Sequence, residues 1–207
     1  MIDISSLMAI FAAFFIVAVS PGPATLAVSN VSASCGRRAG LLFGLGLGIG
    51  LTFWGLVAAT GLGAVLQTSA NSLIALKVAG GIYLLWLTIG SARSALRTGR
   101  AKAETQVDGQ WLVRGLVLNL ANPKAVVAWM AALSVGLGSD DGLASVAIAT
   151  AGCAVLGLVI YVGYALAFSV SRVMETYARL RRWIDGAVAA LFALAGFALL
   201  RSAFSRA

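Results

Sequence analysis

The stretch FIVAVSPGPATLAVSN, residues 15–30, is apolar enough to lie in a lipid bilayer, yet it has prolines at positions 21 and 23. Proline removes a backbone hydrogen-bond donor and clashes with the preceding turn, at a cost of about 3 kcal/mol inside a helix. Gly22, between Pro21 and Pro23, permits backbone conformations that other residues resist. The stretch therefore predicts a membrane-crossing helix that is interrupted near its middle.

The composition predicts an all-α, polytopic membrane protein. Of the 207 residues, 60% are hydrophobic and 11% are charged, and several apolar stretches reach the roughly 20 residues that a spanning helix needs. The formal charge of +8 comes from Lys and Arg residues that lie mainly between the apolar runs. This placement indicates membrane topology rather than a nucleic-acid partner, so we expect membrane lipid around the chain and no nucleic acid.

Six apolar segments are bounded by charged or loop-like stretches. They lie near residues 6–33, 40–66, 73–92, 112–137, 143–170 and 184–204. The polar stretch 97–110 is expected to be a cytoplasmic linker between a first half, 1–96, and a second half, 111–207. Because each half has three crossings, the second enters the membrane from the opposite side. The predicted fold is one integral membrane domain of six helices in two inverted three-helix repeats.

The distribution of cations predicts the orientation. Eleven of the fifteen Lys and Arg residues fall in or near the connections after the first, third and fifth segments. These residues are Arg37, Arg38, Arg93, Arg97, Arg100, Lys102, Arg114, Arg172, Arg179, Arg181 and Arg182. The positive-inside rule places these connections in the cytoplasm and both termini outside.

A second proline break is expected in the stretch LNLANPKAVVAWM, residues 118–130. Superposing SPGPAT on ANPKAV places Pro21 on Pro123, so all three prolines interrupt the leading helix of a half. Irregular backbone is tolerated at membrane depth where protein or a water-filled cavity satisfies it, so both breaks should face inward. Amides of a restarting helix favour an anion, and freed carbonyls accept from a cation. The alternative is a pair of ordinary proline kinks without a ligand.

The predicted substrate-binding residues all lie at the two breaks. They are Ser20, Pro21, Gly22, Pro23, Ala24 and Thr25 at the first, and Asn119, Asn122, Pro123 and Lys124 at the second. A lysine inside a spanning helix is costly unless it reaches water or a partner. Lys124 could extend to the cytoplasmic interface, or it could meet carbonyls, the side chains of Asn119 and Asn122, or a bound carboxylate.

The second apolar segment has glycines in two stripes, one through Gly40, Gly44 and Gly48 and one through Gly46 and Gly50. Small residues at this spacing predict closely packed helices. Four aromatic residues could line a cavity, although such residues more often fill space inside a membrane protein. They are Trp54, Trp129, Tyr161 and Tyr164.

Enzyme chemistry finds little support in the residues, because the chain has no histidine and only two cysteines. We expect no metal, no cofactor and no catalytic residue. One alternative is a transmembrane thiol-disulfide electron carrier, which would need Cys35 and Cys153 to approach within disulfide range. Another is a membrane scaffold without transport, for which uninterrupted helices would suffice.

The sequence resembles the lysine exporter and homoserine/threonine efflux (LysE/RhtB-type) family of bacterial amino-acid translocators. The similarity covers nearly the whole chain and is carried by four stretches. They are SPGPATLAV at 20–28, GRRAGLLFGLGLGIG at 36–50, LKVAGGIYLLWL at 76–87 and NPKAVVAW at 122–129.

This resemblance implies a multi-pass carrier in the bacterial cytoplasmic membrane that exports amino acids or closely related small zwitterions. It implies secondary-active transport driven by the proton gradient, with alternating access around the two broken helices. A proton could move through Lys124, through Asp185 or with the substrate, and the sequence does not choose among them. A homo-oligomer is compatible with the sequence, and the transported amino acid is left open.

Overall fold

The computed structural model describes residues 3–68, 110–136 and 142–204, and a few positions between 78 and 96. Six helices account for the three continuous ranges, and no strand occurs among the described residues. The helices are α1 (Ile4–Val19), α2 (Pro23–Thr68), α3 (Trp111–Leu120), α4 (Pro123–Gly136), α5 (Leu143–Phe168) and α6 (Ser171–Phe204). The predicted linker at 97–110 lies almost wholly outside the described residues.

Helix α2 is not one straight rod, because the chain reverses direction at Gly36. Gly36 has a φ of 86° and a ψ of 172°, a backbone conformation that is essentially restricted to glycine. A Cβ atom at Gly40 would overlap Ser32, and one at Gly44 would lie 3.6 Å from Val28. Residues eight and sixteen positions apart are separated by about 12 and 24 Å along a straight helix. The segments before and after Gly36 therefore lie side by side.

By length and composition, two described helical stretches are candidates to cross a membrane, namely Pro23–Gly61 and Leu143–Phe168. The first includes the reversal at Gly36. The pair Trp111–Leu120 and Lys124–Leu133 is bent by 70° and makes a third candidate if it is one broken span. The predicted segment 73–92 lies largely outside the described residues, so six crossings in inverted repeats remain a prediction.

Several predicted bounds differ from the helices. The sixth segment, expected to begin near 184, lies within α6, which already begins at Ser171. Residues 171–183 contain four arginines, so their polarity placed them in a loop, although arginine is a good helix former. Charge composition separates membrane from water but does not by itself end a helix.

The glycine stripes of α2 bring two other helices into close contact, as their spacing predicts. A Cβ atom at Gly46 would overlap the Leu112 carbonyl oxygen, and one at Gly115 would overlap the Phe43 carbonyl oxygen. On the other stripe, a Cβ atom at Gly44 would lie 3.1 Å from the carbonyl oxygen of Tyr161. The part of α2 after Gly36 is therefore packed between α3 and α5.

A buried aromatic pair joins α1 to α4. The rings of Phe14 and Trp129 have centroids 4.7 Å apart, and neither side chain is exposed. The indole Nε1 of Trp129 also donates to the main-chain carbonyl of Leu51 at 2.8 Å. These contacts fix α4 against α1 and α2, which places the C-terminal end of α1 close to the N-terminal end of α4.

Candidate functional site

The first interruption of helical structure covers Ser20, Pro21 and Gly22. Proline disfavours the helical conformation of the residue before it, and Ser20 has the extended angles φ −65° and ψ 146°. Helix α2 restarts at Pro23, where a missing N–H has no cost because the first amides of a helix lack intrahelical acceptors. Thr25 Oγ1 accepts a hydrogen bond of 2.8 Å from the Gly22 amide, which closes the turn into α2.

The carbonyls at the end of α1 are partly satisfied by hydroxyl groups. Ser20 Oγ donates to the Val17 carbonyl at 2.7 Å, and Tyr164 on α5 donates to the Val19 carbonyl at 2.6 Å. Main-chain acceptors freed by the interruption are thus met by side chains of the protein. The Ser20 carbonyl has a different partner, which comes from the second interruption.

The second interruption covers Ala121 and Asn122, between α3 and α4. Asn122 Oδ1 accepts from the Lys124 amide at 3.1 Å, and this is the usual hydrogen bond of an N-cap asparagine. The Asn122 amide group donates to Asn119 Oδ1 at 3.1 Å, and Trp54 Nε1 donates to the Leu120 carbonyl at 3.2 Å. Both ends of this interruption are therefore held by side chains.

Lys124 connects the two interruptions. Its Nζ atom donates to the Ser20 carbonyl at 2.7 Å and to Ser20 Oγ at 2.6 Å. The lysine is 9% exposed and Ser20 is fully buried, so the side chain does not extend to the interface. The ammonium does not bond to the side chains of Asn119 or Asn122, two of the partners considered from the sequence.

The positive charge of Lys124 interacts with the dipoles of the Ser20 carbonyl and hydroxyl groups. No carboxylate contacts Nζ among the described residues, and the Phe192 ring lies with its centroid 6.0 Å away. A Cβ atom at Gly22 would lie 3.0 Å from Nζ and 3.1 Å from Cδ of Lys124. The small size of Gly22 therefore leaves the space through which Lys124 reaches Ser20.

A cavity lies between the two interruptions. It is lined by Val17, Ala18, Gly22, Ala24, Thr25, Leu51, Asn122, Lys124, Ala125, Ala128 and Tyr161. The volume that the centre of a water molecule can occupy inside it is about 20 Å³. One buried water needs roughly 10–15 Å³ of such volume. In this conformation the cavity can therefore hold a water but not an amino acid.

The ten residues predicted from the sequence fall into two groups. Those that line the cavity are Gly22, Ala24, Thr25, Asn122 and Lys124. The others lie around the cavity. Ser20 accepts hydrogen bonds from Lys124, and Asn119 accepts one from Asn122. Pro21, Pro23 and Pro123 lie in or next to the interruptions. The structure brings the two predicted breaks together across about a hundred positions of sequence.

Some residues of the cavity wall could not be identified from the sequence. Val17, Leu51 and Ala128 are apolar residues in apolar helices, and only the packing of the helices turns them toward the cavity. Tyr161 was noted as one of four aromatic residues that could line a cavity. It is buried, and its hydroxyl group accepts from the Asn119 amide group at 3.4 Å.

The start of α2 presents two main-chain donors next to this cavity. The amides of Ala24 and Thr25 have no acceptor within the ranges that the structure describes, and both residues are buried. The amide of Leu26, the next residue, already bonds to the Gly22 carbonyl at 2.9 Å. The first two N–H groups of α2, at the positive end of its dipole, therefore belong to residues of the cavity wall and have no acceptor within the described ranges.

Asp185, one of the groups considered for proton movement, lies on α6, away from the cavity. It is 1% exposed and its carboxylate is 3.6 Å from Nε of Arg181. Burial, followed by the nearby Asp185 carboxylate, raises the pKa of Tyr177, and Arg181 acts in the opposite direction. Asp185 is not among the residues that line the cavity.

The two cysteines differ in their surroundings. Cys35 is exposed, Cys153 is buried, and both are free thiols. The arrangement gives no support to a thiol-disulfide electron carrier, whose chemistry requires the two sulfur atoms to approach each other.

A comparison with protein families matches residues 15–203 to the model described as LysE type translocator. The threonine efflux protein of Escherichia coli K12 is 31% identical over 195 residues, covering 89% of this chain and 92% of that protein. The threonine efflux protein of Salmonella typhi is 33% identical over 189 residues, with the same coverage of 89% and 92%.

A third relative is the homoserine/homoserine lactone efflux protein of Salmonella typhimurium LT2. It is 30% identical over 200 residues, covering 91% of this chain and 92% of that protein. No solved structure matches the chain significantly.

Proposed function

Since the chain belongs to the LysE type translocator family, we propose that it is a secondary-active exporter of amino acids or closely related small zwitterions. It acts in the bacterial cytoplasmic membrane, with both termini outside, and it couples export to proton entry. The three relatives described above are named for threonine and for homoserine or its lactone. Small amino acids with a side-chain hydroxyl group are therefore the first candidate substrates.

The observation that carries this proposal is the contact between Lys124 and Ser20 beside the cavity. Lys124 comes from the second interruption and Ser20 from the first, yet Nζ lies 2.6 Å from Ser20 Oγ. A structural kink needs only local satisfaction of its own backbone. Here the two interruptions instead share one buried cluster of charged, hydroxyl and main-chain groups, as a site for a zwitterion requires.

The two ends of an amino acid have complementary groups at this cluster. The free amides of Ala24 and Thr25, at the start of α2, suit the carboxylate because they combine hydrogen-bond donors with a positive dipole end. The carbonyl and hydroxyl oxygens of Ser20 suit the ammonium. The side chain of the bound amino acid then faces Tyr161, whose hydroxyl proton has no acceptor within the described ranges.

The small size of the cavity supports an alternating-access mechanism. A cavity with room for one water must open before an amino acid enters. The closed arrangement separates the two sides of the membrane, and rearrangement of the halves about the interruptions exposes the site to one side at a time.

The proposal is tested by transport into and out of liposomes that contain the purified protein. Threonine, homoserine and a panel of other amino acids are measured under an imposed pH gradient and in exchange. Movement of at least one of them that depends on the protein supports the proposal. Failure to move any of them, with protein that is folded and inserted, overturns it.

A pair of serine variants tests whether the effect belongs to the site and not to a buried serine elsewhere. We expect Ser20→Ala to reduce transport at least tenfold, because it removes a hydroxyl group that bonds at 2.6 Å to Lys124. Ser32→Ala is the matched control, since Ser32 is equally buried and its hydroxyl bonds only to the Val28 carbonyl, away from the cavity. Equal transport by the two variants would remove Ser20 from the site.

A further inference from the structure

The carbonyl and hydroxyl oxygens of Ser20 already bind a primary ammonium group in this structure. Lys124 Nζ lies 2.7 Å from the carbonyl oxygen and 2.6 Å from Oγ. An ammonium has three donors, and an oxygen pair at these distances satisfies two of them. The ammonium of an amino acid has the same charge and the same donors. Lys124 therefore occupies the position that suits the ammonium of a zwitterionic substrate.

We propose that the substrate's ammonium and the protonated Lys124 compete for this position at Ser20, so that Lys124 carries the coupled proton. The inference rests on the proposed function. When the substrate is bound at Ser20, Lys124 is displaced and neutral. When the substrate has left, Lys124 is protonated and bound to Ser20.

Simultaneous binding at Ser20 is opposed by charge. Lys124 Nζ already bonds to both Ser20 oxygens, so a second ammonium at the same oxygens would lie next to it. Two like charges at such a short distance repel strongly in a buried site, where little water screens them. The Ser20 oxygens are therefore available to one cation at a time.

Displacement of Lys124 requires loss of its proton because of what surrounds it. Away from Ser20, the cavity wall has apolar residues, among them Val17, Leu51 and Ala128, and the Phe192 ring lies 6.0 Å from Nζ. Its polar residues, Thr25, Asn122 and Tyr161, are uncharged. A buried ammonium that leaves both Ser20 oxygens without meeting a negative charge is more costly than a neutral amine. Deprotonation is thus the favourable way for Lys124 to leave the position at Ser20.

No other titratable group of the described residues contacts Nζ. On α5, Tyr161 and Tyr164 are nearest to the site, and their hydroxyl groups bond to Asn119 and to the Val19 carbonyl. On α6, Asp185 is two turns before Phe192 and lies beside Arg181. On α1 and α2, the polar groups at the site are hydroxyl and main-chain groups. Lys124 is therefore the group whose charge changes with occupancy of the site.

The proton balance follows directly. On the cytoplasmic side, Lys124 releases a proton to water as the substrate's ammonium takes its position. On the outer side, the substrate leaves, and a proton from water binds Nζ, which returns to Ser20. Each cycle moves one zwitterion out and one proton in.

Binding to the unaltered protein in detergent tests this competition. Because substrate binding requires an unprotonated Lys124, the apparent affinity for threonine should rise roughly tenfold for each pH unit, up to the pH at which Lys124 is neutral without substrate. About one proton should be released for each threonine bound in weakly buffered solution. An affinity that is constant between about pH 5 and 7, where threonine stays a zwitterion, overturns the inference.

Two substitutions give an independent test. Lys124→Met lacks the competing ammonium, so it should bind threonine several-fold more tightly, without pH dependence, and exchange it across liposomes without proton-driven accumulation. Lys124→Arg keeps its charge at every working pH, so it should bind at least tenfold more weakly. Accumulation driven by a pH gradient in Lys124→Met, or loss of threonine binding by folded Lys124→Met, contradicts the inference.

The outcomes also separate this inference from the proposed function. If the unaltered protein neither binds nor moves any amino acid, the proposed function fails. If it exports amino acids with a pH-independent affinity, the proposed function stands and only the role of Lys124 fails.

Discussion

The side-chain amide of Asn119 donates a hydrogen bond of 2.6 Å to the main-chain carbonyl of Leu47, although the two residues are 72 positions apart. The bond crosses from α3 to α2, and Asn119 is fully buried. The same side chain accepts from Asn122, the cap of α4. Asn119 therefore links the interface between the predicted halves to one edge of the candidate site.

Asn119→Ala should lower the free energy of unfolding by about 2 kcal/mol, because it leaves the Leu47 carbonyl and the Asn122 amide group without these buried partners. Thermal unfolding of the purified protein in detergent measures the change. Asn30→Ala is the control, since Asn30 is half-buried and its side chain makes no hydrogen bond within the described ranges. Equal losses for the two variants would contradict the assigned role.

Gly46→Ala should disturb the contact between α2 and α3. The added Cβ atom would overlap the Leu112 carbonyl oxygen, which belongs to rigid helical backbone, so we expect a loss of about 1–3 kcal/mol in stability. Gly163→Ala on α5 is the matched control because its Cβ atom meets nothing within 4 Å. The folded yield and the midpoint of thermal unfolding should fall for Gly46→Ala alone.

Gly36→Ala should strain the reversal within α2. Its φ of 86° with a ψ of 172° is unfavourable for alanine, so a cost of about 1–3 kcal/mol is expected even though the added Cβ atom has open space. Gly142→Ala provides the comparison, with equal space and a φ of −78°. Unchanged thermal stability of Gly36→Ala would show that the backbone adopts another conformation there.

Gly22→Val should act on function more than on stability. Even a Cβ atom would lie 3.0 Å from Lys124 Nζ, and the two further methyl groups of valine should push the ammonium away from Ser20. We expect at least a tenfold reduction in transport, measured in liposomes. Gly61→Val controls for the substitution itself, because Gly61 is exposed with open space around it. Transport that equals that of the control would contradict a role for the contact between Lys124 and Ser20.

Local constraints explain why the interruptions could be located from the sequence. Pro21 biases Ser20 toward an extended conformation, and Pro23 starts a helix well but cannot lie inside one. Both effects depend on neighbours in the chain and not on packing. Close packing at the glycine stripes of α2 could also be predicted, because residues four positions apart share one face of a helix wherever that helix lies.

The start of α6 and part of the cavity wall could not be predicted from the sequence. Arginine-rich composition concealed the helical start of α6 at Ser171, since the charges of Arg179 and Arg182 indicate contact with water and not the end of a helix. Val17 and Leu51 are two apolar residues among many, and only the arrangement of α1, α2 and α4 turns them toward the cavity.

The sequence by itself determined that the chain is an apolar, helical membrane protein and that its helices are interrupted at Ser20 and Asn122. Those properties follow from transfer free energy and from the geometry of proline, which act residue by residue. Only the tertiary structure decided that Lys124 bonds to Ser20, 104 positions away, and not to water or to the nearby asparagines. That choice depends on the packing of α4 against α1, because a buried ammonium bonds to whatever oxygen atoms the fold brings within its reach.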